Sequence, residues 1–148
     1  MPGEGRERAL LIDRCWSLYL LLTEHFSVPS NFHEKFPALV ERATISGLLH
    51  LTLHISDQHW PYIREEYEMA GHQLRIAGYS YTLIGPSSNP LFRADLLPHH
   101  RTDYRKRSLT AFPHHLHDPN GRILSFSGEI SDFIDIVQQH LAKPDPKT

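Results

Sequence analysis

The sequence predicts an α+β fold: a mostly antiparallel meander sheet with N-terminal and C-terminal helices packed on one face. Three observations point to it. Apolar residues recur every three or four positions near both ends of the chain. In the middle they alternate with polar ones, and two of the alternating runs are joined by a short Gly/Pro/Ser/Asn loop of hairpin type.

The elements follow in order. Leu11, Cys15, Leu18, Leu22 and Phe26 form one apolar stripe and predict a helix over 6–26. Trp16, Tyr19 and Leu20 widen that stripe, so the helix packs into the protein's own core or, as the alternative, offers a surface for a homodimer. The segment 27–31 (SVPSN) ends it. A second helix is expected over 33–43, with Pro37 moving its start to about 36, because proline suits a first helical turn and not an interior. Residues 48–55 read as a strand, with Leu49, Leu51, Leu53 and Ile55 on one face and His50, Thr52 and His54 solvated on the other. Residues 60–70 fit a helix or a strand. Residues 73–84 form a strand ending at Gly85-Pro86, and 90–96 form its hairpin partner. A long polar connection follows, then TAFPHHLHD, a turn at 118–121 and a short strand over 122–126. The last helix runs over 129–142, with Ser127 as its cap. Residues 1–47 are thus a helical region packed on the same domain as the sheet and final helix (48–143), and 144–148 a disordered tail.

Composition narrows the function classes. The 148 residues suffice for one domain with a real core. The formal net charge of -2 supplies no global field for nucleic acid, so any polyanion site must be a local patch. The single cysteine, Cys15, excludes a disulfide framework and a cysteine-based zinc site. The N-terminus lacks the pattern of a secretory signal, and the most apolar run, Ala9 to Leu22, contains Asp13 and Arg14 and is too short to span a bilayer. A cytoplasmic protein with no membrane partner is therefore expected. Phosphate-cradling glycine loops and the G-x-S-x-G elbow are absent.

The chemistry concentrates elsewhere. Five of the twelve histidines, His99, His100, His114, His115 and His117, lie within 99–117. In an extended segment His115 and His117 share one face and His114 takes the other. If the strands holding Asp95 and His117 are neighbours, the imidazoles can converge at one end of the sheet. Imidazole titrates near neutral pH, so a pair can serve as general base and general acid. RNA cleavage needs little more: one histidine takes the 2′-hydroxyl proton, a second protonates the leaving oxygen, and a guanidinium steadies the phosphorane charge. Arg93 is the candidate for that last role. Asp95, Arg101, Arg105, Lys106 and Arg107 are candidates for substrate binding, with Tyr104 and Phe112 stacking on bases. This scheme needs no metal or cofactor. The same residues permit a second one, in which His-x-His, a further histidine and Asp95 bind zinc or another transition metal. A third alternative is a binding protein without chemistry. Against all of these stands the bland reading of rigid, proline-flanked surface loops.

The succession Tyr79-Ser80-Tyr81, Leu91-Phe92-Arg93-Ala94-Asp95, Pro98-His99-His100 and Phe112-Pro113-His114-His115-Leu116-His117 resembles the TumE family over about residues 48–142. In that family an aromatic-rich strand precedes an FRYD-like strand, a histidine pair, an FPHHKH segment and a C-terminal helix. The resemblance implies the toxin half of a toxin–antitoxin pair, a helix-turn-helix antitoxin as partner, and action on RNA. The chain departs from the pattern at Leu116, where a basic residue is usual, in its longer 101–109 loop, and in its N-terminal helical region. Those departures leave room for a related defence role, cutting a small or cyclic oligonucleotide.

Overall fold

The computed structural model of the chain describes residues 2–56 and 58–142. Helices α1 (Pro2–His25) and α2 (Phe32–Ser46) precede six strands: β1 (Leu48–Thr52), β2 (Trp60–Ala70), β3 (Gln73–Ile84), β4 (Pro90–Asp95), β5 (His115–His117) and β6 (Ile123–Ser125). Helix α3 (Ile130–Ala142) closes the fold. Neighbouring strands are all antiparallel and their order follows the chain, so the sheet is an open meander.

Register divides the side chains between two faces. Leu51, Ile63, Tyr81, Ala94 and Leu116 lie in one row across β1 to β5. They join a buried core with Cys15, Leu18 and Leu22 of α1, Phe36, Val40 and Ala43 of α2, and Phe133, Ile134 and Val137 of α3. All three helices therefore cover the same face, as the stripes predict. One row along, on the opposite face, stand His50, Arg64, Ser80, Asp95 and His115, and beside them Thr52, Tyr62, Thr82, Arg93 and His117. Among the described residues, no helix covers that second face. Its β4–β5 end is overlaid by the connection 96–114, anchored where the Tyr104 N–H reaches the Ile123 carbonyl at 2.9 Å and the Thr110 N–H reaches Ser125 Oγ at 3.1 Å.

Several local expectations change. Residues 60–70 are strand, because Ile63 and Glu65 point to the helices while Tyr62 and Arg64 point away, a period of two. Helix α2 starts at Phe32 and carries Pro37 inside it. Burying Phe32, Phe36, Val40 and Ala43 on one side outweighs the hydrogen bond lost at an exposed proline. β1 ends at Thr52, although Leu53 stays buried and its N–H still bonds the Pro61 carbonyl at 3.1 Å. On α1 the stripe is buried, but Trp16 and Leu20 remain exposed, Trp16 resting on Phe36 with ring centroids 5.2 Å apart. Ser127 stands outside the cap position: α3 begins at Ile130, and the Ser127 Oγ accepts the N–H of Glu129, the residue before the helix, at 3.0 Å. The expected tail 144–148 lies outside the described residues. Among those described, no helix is long and apolar enough to cross a membrane.

Candidate functional site

β4 and β5 are neighbours, paired Asp95 to His115 and Arg93 to His117. Strand alternation sends all four of these side chains to the face away from the helices. The chain then has to bring His99 and His100 back. It does so at the end of β4, where Asp95 Oδ1 accepts the Leu97 N–H at 3.0 Å and turns the backbone toward β5. His99, His100, His115 and His117 end with ring centroids 4.1 to 6.3 Å apart in every pairing. One nitrogen from each lies within 4.8 Å of all the others.

The hydrogen bonds around this cluster are specific. His115 is fully buried; its Nδ1 donates to the Pro113 carbonyl at 3.0 Å. Its Nε2 lies 3.2 Å from Asp95 Oδ1 and 3.1 Å from His117 Nε2. Arg93 lines the cluster, with Nε 3.3 Å from Asp95 Oδ2 and Nη2 donating to His117 Nε2 at 3.2 Å. Nearly half of the Arg93 side chain, 48%, still faces solvent, which leaves donors free for an anion.

Burial, and then the charges of Arg93 and His115, push the His117 imidazole down to about 4, so it is neutral at pH 7 and presents a lone pair. His100 is lowered by burial first and by His99 next.

Two hollows flank Arg93 on the open face. One, of about 400 Å³, is lined by Tyr62, Thr82, Phe92 and His117 among others. The second, of about 470 Å³, is lined by Arg64, Ser80, Asp95 and Leu97 among others. Tyr62 and Arg64 are hidden from sequence reasoning because 60–70 fits two periods. Once β2 is a strand, alternation places both on the open face, where Tyr62 is in register with Thr82, and Thr82 with Arg93.

The other candidate residues have different positions. His114 does not join the cluster. It turns to the helix face, where its Nδ1 lies 2.9 Å from the Tyr79 hydroxyl and its ring stacks on Tyr79 with centroids 5.6 Å apart. Gly128, at φ +89°, gives that ring room, since a Cβ there would come within 2.7 Å of it. The basic patch is largely committed to structure. Asp103 accepts the N–H groups of Arg105 and Arg107 and the Arg107 Nε, closing the turn that holds Lys106 in the left-handed region. Tyr104 is exposed and has the guanidinium groups of Arg105 and Arg122 over its ring, 5.2 and 4.9 Å from its centre. Arg101 lies over Phe112 at 5.4 Å, and Phe112 is exposed.

Comparison with protein-family models, with curated proteins and with solved structures finds no match to this chain.

Proposed function

We propose that this chain is a TumE-like toxin or defence protein that cleaves RNA or a small oligonucleotide on the open face of its sheet, silenced by a helix-turn-helix partner. The observation that carries the reading is the gathering of four imidazoles from two chain segments against a half-exposed Arg93. Arg93 holds the scissile phosphate, using donors that point to solvent. The imidazole centre beside it takes the proton of the substrate's 2′-hydroxyl, and that oxygen attacks phosphorus. The bond to the 5′-oxygen breaks, the proton returns to that oxygen, and the products are a 2′,3′-cyclic phosphate and a free 5′-hydroxyl. The hollows on either side of Arg93 suit the flanking nucleotides, with Tyr62 offering a ring for stacking in the more apolar one. Local charge at Arg93, and not the net charge of -2, draws in the polyanion, Arg64 beside it being ion-paired to Glu66.

A panel of single-stranded RNAs and cyclic oligonucleotides, incubated with the purified chain, tests the reading. The wild-type protein is expected to release products with cyclic phosphate ends. Arg93→Ala is expected to lower the rate about 10²–10³-fold, the usual cost of losing one preorganised donor to a developing charge. Cleavage of no member of the panel, or an Arg93→Ala rate equal to wild type, rejects the proposal.

A further inference from the structure

His115 poses a problem of hydrogen counting. A backbone carbonyl can only accept, so the 3.0 Å contact with Pro113 places a proton on Nδ1. Unless a second proton sits on the ring, the His115 Nε2 is bare. That nitrogen faces a carboxylate oxygen of Asp95 at 3.2 Å and the Nε2 of His117 at 3.1 Å. The His117 Nε2 is bare too, because Arg93 donates to it. Three acceptor atoms thus converge on one spot, with the Arg93 guanidinium to one side of them, a setting that suits a cation held between them. His99 and His100 add two more imidazoles to the same spot.

We infer that His99, His100, His115 and His117 form a binding site for a divalent transition metal ion of the zinc class. The donor set is the one such ions prefer, imidazole nitrogen without thiolate. With metal–nitrogen bonds of about 2.0–2.1 Å, ligand atoms around a tetrahedral ion lie roughly 3.3 Å apart. The 3.1 Å between the two Nε2 atoms of β5 already matches that spacing. The widest separation in the group, within 4.8 Å, closes by rotation of the His99 and His100 rings, which sit on the connection and not on a strand. The surroundings match as well. The Pro113 carbonyl fixes which His115 nitrogen is presented, and Asp95 Oδ1 lies 3.2 Å from that same nitrogen as a neutralising carboxylate beside the donors. A bound ion ties the 96–114 connection to the sheet. Its bearing on cleavage rests on the phosphodiesterase reading above, whereas ion uptake does not.

The test is uptake by the full chain after chelation and dialysis, titrated with Co²⁺ alone and then competed with Zn²⁺. One Co²⁺ per chain is expected, with the ligand-field absorption of a nitrogen-bound ion, displaced by Zn²⁺ and accompanied by a rise in melting temperature. His117→Ala and His100→Ala are expected to abolish the absorption. Asp95→Asn is expected to weaken uptake, through loss of the carboxylate charge beside His115 Nε2. His114→Ala and His50→Ala are expected to leave it intact. His99→Ala, at an exposed position, serves where a buried variant fails to fold. No uptake, or uptake unchanged in the His99, His100 and His117 variants, overturns the inference and leaves a shared proton between the two Nε2 atoms. RNA cleavage measured in parallel on the ion-free and the loaded chain separates the two claims, since an imidazole nitrogen that holds an ion cannot also take a proton: cleavage by neither form removes the phosphodiesterase reading and leaves the ion site standing.

Discussion

Arg14→Ala removes the counter-charge of a fully buried carboxylate. Arg14 on α1 grips Glu65 on β2 with two bonds, Nε to Oε1 at 3.0 Å and Nη2 to Oε2 at 2.7 Å. The Glu65 side chain has 0% exposure, against 27% for Arg14, so truncation strands the carboxylate and not the guanidinium. Breaking a buried pair in this way costs about 3–5 kcal/mol. Glu65 keeps two other donors, the Tyr67 hydroxyl at 2.8 Å and the Tyr81 hydroxyl. That places the expected loss at the lower end, about 3 kcal/mol. At roughly 2–4 °C per kcal/mol for a domain of this size, the melting temperature should fall by about 6–12 °C. The assay is thermal unfolding followed by circular dichroism, with urea unfolding as a check on the free energy. Arg14→Ala/Glu65→Gln is the informative partner. It removes the stranded charge while an amide oxygen still accepts from the phenols, so it should recover part of the loss. A fall of less than about 2 °C, the shift expected for about 0.5–1 kcal/mol, would refute the claim that desolvated charge dominates here. So would a double variant no more stable than Arg14→Ala.

His114→Ala should lower stability by about 1–2 kcal/mol in urea unfolding, through loss of the Tyr79 contact, while leaving RNA cleavage at the wild-type rate; an activity loss as large as that of Arg93→Ala would return His114 to the site. Arg107→Ala should leave cleavage close to the wild-type rate, because its side chain is bound to Asp103; a drop comparable to Arg93→Ala in the same assay would show that the 103–107 turn contacts substrate. Burial pushes the Asp118 carboxyl up, but the Arg122 and Asn120 N–H groups and the Arg122 side chain together outweigh it and hold the group below the ordinary carboxylate range. A lowered folded-state pKa stabilises above the unfolded value and is lost as pH falls through the folded one. The stability gap between wild type and Asp118→Asn should therefore be full at pH 7 and close below about pH 4, the ordinary carboxylate value; a gap that stays constant in thermal melts from neutral pH down through the acid range would contradict this.

Helix and strand periods are local properties, and the chain displays them plainly. The stripe on α1, the alternation in β1 and β3, and the apolar face of α3 are each set by neighbours within a turn or two along the chain, which is why the α+β class and the single helix-covered face are legible in the order of residues alone. The same alternation separates His114 from His115 and His117. Where two periods overlap, as in 60–70, local information does not choose, and Tyr62 and Arg64 on the open face go unseen.

Pairing is not local. Nothing in the residues themselves says that β4 meets β5 across the connection 96–114, or that Arg93 is in register with His117 and Asp95 with His115. That register is decided by which side chains the whole sheet buries against the three helices, because a shift of one residue would exchange the two faces. Likewise Asp103 claims Arg107, and Arg122 reaches the Tyr104 ring, only once the chain has turned back on itself. The residues of the imidazole centre are present in the sequence. Their convergence, and the commitment of most of the nearby positive charge to turns and stacking, belong to the tertiary structure, because both depend on contacts between segments far apart along the chain.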